Sequence, residues 1–98
     1  MRGGTSSQIT TTHTADSNNI YKKDNVVNLT ISIVFKNNVT AWTTFANVPE
    51  GFRPKFTQYI NALNNAGYIQ ITPEGAVQSN MARSTNDRLT FTGSYLIN

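Results

Sequence analysis

The chain contains no cysteine, a single histidine and little charge of either sign, with eight Lys and Arg against five Asp and Glu in 98 residues. Without cysteine there is no disulfide framework, no thiolate zinc site and no thiol nucleophile. No apolar run approaches the roughly 20 residues of a membrane span, and the first residues lack the apolar stretch of a signal peptide, so no membrane insertion is expected. Charged residues make up 13%, about half the usual share. The net charge is only +3, and the closest basic grouping is the pair Lys22-Lys23. Nucleic-acid binding draws on clustered Lys and Arg that displace counterions, so no nucleic-acid partner is expected.

Catalytic chemistry is equally thin. A hydrolase needs an activated nucleophile or a pair of positioned carboxylates. The one histidine, His13, lies in the polar run Thr10-Thr11-Thr12-His13-Thr14, where the sequence offers nothing to hold it in an active site. The acids Asp24, Glu50, Glu74 and Asp87 all fall in or beside turn signals, where they serve turn formation and solubility. No spacing resembles a metal loop and no glycine-rich phosphate cradle occurs. The expectation is a protein that is not an enzyme and has no catalytic residue, no cofactor and no metal. Asn28-Leu29-Thr30 and Asn38-Val39-Thr40 match the glycosylation sequon, but about two such matches arise by chance in a chain this rich in Asn and Thr.

What the chain has in abundance is uncharged polarity: 14 Thr, 13 Asn and 7 Ser. Thr suits a pleated surface and Asn suits turns, which favours an all-β domain. The length allows one domain with one modest core. Residues 1–19 contain three apolar side chains, Met1, Ile9 and Ala15, and are expected to form a polar, flexible N-terminal arm or a segment that orders against a partner. Residues 20–98 form the expected folded body.

The strongest pattern opens that body. Val27, Leu29, Ile31, Ile33 and Phe35 alternate with Asn28, Thr30 and Ser32, which predicts a long strand with one buried face. Lys36-Asn37-Asn38 supplies turn chemistry, and a second strand is expected over residues 39–45, with Trp42 on its polar face between Thr40 and Thr44. Residues 47–54, with two prolines and a glycine, fit a bent, ordered connection. Residues 56–63 suit a helix or a strand, and the hairpin signals that follow favour a strand. Turns at 64–67, 73–75 and 84–87 separate expected strands at 68–72, 76–82 and 89–97. Five or six strands with frequent turns describe an antiparallel β-sandwich, jelly-roll-like in type.

The aromatic residues are the remaining functional material. Trp42 either stacks on a sugar ring, fills a subunit interface, or covers an edge of its own core. Tyr59, Tyr68 and Tyr95 are read as core or sheet-face residues. Arg53, held between Phe52 and Pro54, either binds a carboxylate or locks the loop through backbone carbonyls, and the second is the expectation.

The segment Phe45-Ala46-Asn47-Val48-Pro49-Glu50-Gly51-Phe52-Arg53-Pro54 resembles a pattern in tail-tip and baseplate proteins of phages that infect Gram-positive bacteria, in which a strand ends in an apolar-Pro-x-Gly-aromatic-Arg-Pro connection. Ile69-Gln70-Ile71-Thr72-Pro73-Glu74-Gly75-Ala76-Val77 looks like the hairpin of that family, and Gly93-Ser94-Tyr95-Leu96 looks like its closing strand. The resemblance spans about residues 27–98. It implies a small β-sandwich that assembles as a homotrimer with other tail or baseplate proteins, is made in the host cytoplasm, resides in the virion, and adsorbs to host cell-wall saccharide as a receptor-binding module. Saccharide-contacting residues of such heads lie outside the shared loop, so no binding residue is carried over. Two other functions stay open at this point, a structural tail or baseplate accessory protein without a glycan site and a free-standing carbohydrate-binding module.

Overall fold

A computed structural model describes residues 4–97. Among the described residues, eight strands form two four-stranded antiparallel sheets. The strands are β1 (Thr5–Ser7), β2 (Thr14–Lys23), β3 (Val26–Val34), β4 (Thr44–Asn47), β5 (Gln58–Asn61), β6 (Tyr68–Ile71), β7 (Ala76–Ser79) and β8 (Arg88–Leu96), with one 3-10 turn at Leu63–Asn65. The first sheet has the order β1-β2-β3-β8 and the second β4-β7-β6-β5. The pairs β3 with β8, β4 with β7 and β5 with β6 nest inside one another. The chain is thus a long hairpin folded over on itself, the arrangement that makes a β-sandwich jelly-roll-like.

The alternation of β3 sets the core. Val27, Leu29, Ile31, Ile33 and Phe35 are all buried. They face Ile60, Ile69, Ile71 and Val77 of the opposite sheet, with Leu89 and Phe91 beside them on β8. Ser32, on the other face of β3, is also covered. Its hydroxyl lies 3.0 Å from that of Thr90 and accepts a hydrogen bond of 2.9 Å from Arg88.

Residues 4–19 are not a free arm. They supply β1 and the first half of β2, which pairs antiparallel with β3. Ile9 is buried in the core cluster. The side-chain amide of Asn18 grips the backbone of Ile9 from both sides, accepting from its N–H at 2.8 Å and donating to its carbonyl at 3.0 Å. Thr10 and Asn47 then exchange two backbone hydrogen bonds of 2.8 Å, which ties this segment to the edge strand β4. Backbone pairing, together with the buried Ile9, orders these polar residues. The strand count accordingly rises from the expected five or six to eight.

Three expected strands are shorter than the sequence suggests, and the segment 56–63 is a strand only over Gln58–Asn61. Of the segment 39–45 only Thr44 and Phe45 lie in a strand, β4, which runs on to Asn47. Val39 makes an isolated bridge with Arg83, and residues 40–43 turn, with Thr43 N–H donating to the Thr40 carbonyl at 3.3 Å. β7 ends at Ser79 rather than at residue 82, because Arg83 tucks inward, its guanidinium donating to Ser79 Oγ at 2.8 Å and to the Ala66 carbonyl at 2.5 Å.

The connection at residues 49–54 is an ordered corner. Gly51 takes φ +93°, Phe52 is buried, and Arg53 Nε donates to the Val48 carbonyl at 2.9 Å. The buried hydroxyl of Tyr95 donates to the Phe52 carbonyl at 2.5 Å, and burial pushes its pKa upward.

Candidate functional site

The second sheet turns Ile60, Ile69, Ile71 and Val77 inward, so strand alternation turns Tyr59, Asn61, Tyr68, Gln70 and Gln78 outward. Register then brings distant residues side by side. Tyr59 stands opposite Gln70, Gln70 opposite Gln78, and Gln78 opposite Thr44, a row that crosses all four strands. Asn61 stands opposite Tyr68 in the neighbouring row. The rings of Tyr59 and Tyr68 lie 6.1 Å apart, as do those of Tyr68 and Trp42. Trp42, Tyr68 and Tyr59 therefore form a continuous line of rings, with Trp42 47% and Tyr59 65% exposed.

Trp42 reaches this face by an unusual route. It has φ +64° at the third position of the 40–43 turn, a place where glycine ordinarily supplies the positive angle. A bulky side chain in the left-handed region is a genuine outlier and costs on the order of 1–3 kcal/mol. Its backbone N–H is pinned to the Ser79 carbonyl at 2.9 Å, and the Thr40 and Thr43 hydroxyls meet at 2.6 Å beneath the turn.

The polar members of the face are ordered as well. Gln70 Nε2 donates to Gln78 Oε1 at 2.6 Å, and Gln78 Nε2 donates to Thr44 Oγ1 at 3.1 Å. The chain of bonds has a direction, and leaves the Gln70 carbonyl oxygen as an acceptor at one end and the Thr44 hydroxyl proton as a donor at the other.

Of the residues singled out by sequence, Trp42 belongs to this face, and Tyr59 and Tyr68 are sheet-face residues within it. Tyr95 is a core residue of the corner. Arg53 locks the loop through a backbone carbonyl, as expected. His13 packs on the Phe35 ring at 4.8 Å, and its Nδ1 accepts from the Lys36 backbone N–H at 3.0 Å, so it is held in place after all. Asp24, Glu50 and Glu74 sit in turns, and Asp87 closes one by accepting from the Ser84 N–H at 2.7 Å. Asn38 of the second sequon accepts from the Thr85 N–H at 2.9 Å, while Asn28 is exposed on β3.

The alignment of Tyr59, Tyr68 and Trp42 was not visible in the local pattern, because it depends on cross-strand register. One signal was available: Tyr59 and Tyr68 each precede an isoleucine, and a buried isoleucine in a strand turns its neighbour outward. A concavity of about 620 Å³ lies elsewhere, lined by residues 6–10 with Asn18, Asn19 and Pro49, and its lining has no aromatic or titratable side chain.

These features define a class, an antiparallel β-sandwich with an uncharged aromatic and amide face on one sheet. Compared with known proteins, the chain matches no family model and no curated protein.

Proposed function

We propose that this chain is a recognition module of a phage tail or baseplate, which adsorbs to host cell-wall saccharide through the outer face of the β4-β7-β6-β5 sheet. It works as a homotrimer within the virion, joined to other tail proteins. The resemblance of residues 45–54, 69–77 and 93–96 to tail-tip and baseplate proteins supports the setting. The observation that carries the saccharide reading is Trp42, a large ring kept 47% exposed on a strained backbone beside two further rings. Strain of this kind concentrates at functional sites, and an exposed ring offers contact area to the apolar face of a sugar.

The test is to titrate Trp42, the only tryptophan, with wall polysaccharide and follow its fluorescence. A saturable shift is expected. Trp42→Gly, followed by calorimetry because it keeps no tryptophan, should abolish binding while changing stability by less than about 1 kcal/mol, because relief of the positive φ offsets the lost packing. A core aromatic truncation costs about 3–5 kcal/mol. A Trp42→Gly variant that unfolds, or that still binds, would count against the reading.

A further inference from the structure

We infer, resting on the saccharide reading above, that the ligand of this face is an electrically neutral glycan that turns along its length, with one sugar ring against each of Tyr59, Tyr68 and Trp42. Three observations lead there.

The first is charge. The four strands of this sheet, TFAN, QYIN, YIQI and AVQS, contain no Asp, Glu, Lys or Arg. The other sheet carries Asp16, Lys22, Lys23 and Arg88 on β2 and β8. Arg83, which follows β7, is 6% exposed and spends its guanidinium on Ser79 and Ala66. Lys55 lies with Tyr95 and Leu96 around a different cavity. A phosphate-rich or uronic acid polymer is recognised by cations that pair with its charges, and this face presents none from its strands. Sugar hydroxyls, which donate and accept together, match the free Gln70 acceptor and the free Thr44 donor.

The second is extent. The line of rings runs from β5 across β6 to the turn before β4, with two successive centroid spacings of 6.1 Å. A single sugar covers one ring, so the line engages a chain.

The third is tilt. Tyr59 and Tyr68 are inclined at 72° and Tyr68 and Trp42 at 62°. Rings inclined so steeply do not share one plane. A flat ribbon of sugars meets one of them face-on and the next at its edge, whereas a chain that rotates between residues presents a sugar face to each.

The experiment titrates Trp42 fluorescence with three probes at two salt concentrations. The probes are α-1,4-linked glucose oligomers, which turn, β-1,4-linked glucose oligomers, which lie flat, and poly(glycerol phosphate), which is anionic. The inference expects affinity to rise with each added α-linked glucose until three are present and then to level off. It expects at least about tenfold weaker binding of the flat series, and no change on adding about 0.5 M salt, where exposed charge attraction is screened. Tyr59→Ala should remove the gain from the last sugar and leave the shorter oligomers unaffected. Tighter binding of the flat series would overturn the inference and leave saccharide recognition standing, whereas salt-sensitive binding of the polyanion, which holds no sugar ring, would overturn the inference by showing that the face takes anions. Wall polysaccharide that binds without shifting Trp42 would also overturn it. Failure of every saccharide, wall polysaccharide included, would overturn both readings. So would a loss of oligomeric mass in Trp42→Gly, since the rings would then be a contact between copies.

Discussion

Gly51 and Gly75 both adopt a left-handed backbone, with φ +93° and φ +90°, yet they tolerate a side chain very differently. A Cβ on Gly51 would meet only Lys22 Nζ at 3.7 Å, an ordinary contact. Its cost is the backbone angle alone, so Gly51→Val should lose more than about 1 kcal/mol. A Cβ on Gly75 would stand 2.6 Å from the Val48 carbonyl oxygen and 2.5 Å from Arg53 Nε. Those two atoms form the hydrogen bond that locks the corner, so Gly75→Ala should cost more, on the order of 3 kcal/mol, from angle and clash together. Urea midpoints of the two variants check the ranking, and equal losses would show that the corner yields freely. At His13 the expectation concerns pH. Burial on Phe35, and secondarily the charge of Lys36, lower its pKa from the usual 6.5. Protonation would also cost the acceptor that Nδ1 offers the Lys36 N–H. The unfolded chain therefore takes up a proton near pH 6.5 that the folded chain refuses. The contribution is whole above 6.5 and lost as pH falls through the window below it. The difference in urea midpoint between the natural chain and His13→Gln should shrink on acidification from about pH 7.5 through that window. A constant difference would sink the assignment.

Strands were legible in the sequence where side chains carried the signal and illegible where the backbone did. β3, with its apolar alternation, and β8 appear close to their expected limits. β1 and β2 do not announce themselves, because TSS and TADSNNIYKK contain few apolar residues. They are ordered by ladder hydrogen bonds to an already specified β3, by Ile9 in the core and by the Asn18 amide. The expected strand at 39–45 failed for a different reason, a positive φ at Trp42 that no propensity favours. The candidate face was half legible: Trp42, Tyr59 and Tyr68 were each singled out, while their alignment depended on register between separate strands. Ile9→Ala should cost about 2–4 kcal/mol, which for a domain of this size lowers the melting temperature by about 10–30 °C. Deleting residues 1–19 should remove the cooperative transition. An unchanged melting curve after that deletion would mean that the polar segment adds nothing to the fold.

For the molecule as a whole, the sheet edges restrict how copies can meet. The seam between the two sheets is bridged on one side by Thr10 with Asn47 and on the other by Ala62 with Phe91. Edge-to-edge strand pairing, the simplest route to association, is thereby blunted at those two points. Exposed faces offer a homotrimer another route, and an apolar patch lies apart from the aromatic line. Leu96 is 61% exposed, pairs across strands with the exposed Val26, and shares a cavity of about 390 Å³ with Phe56, itself 69% exposed. Light scattering should give a mass near three times 10.8 kDa. Placing a charge in that patch, as Leu96→Glu, should return the mass to a single chain, because three like charges would then be buried against apolar neighbours without partners. The saccharide response of Trp42 should survive per site in that variant, since Leu96 belongs to the other sheet. A mass of 10.8 kDa for the natural chain would remove the trimer while leaving the face a monomeric carbohydrate-binding module. A trimer that persists in Leu96→Glu but falls apart in Trp42→Gly would assign the aromatic face to assembly, the structural role that binds no glycan.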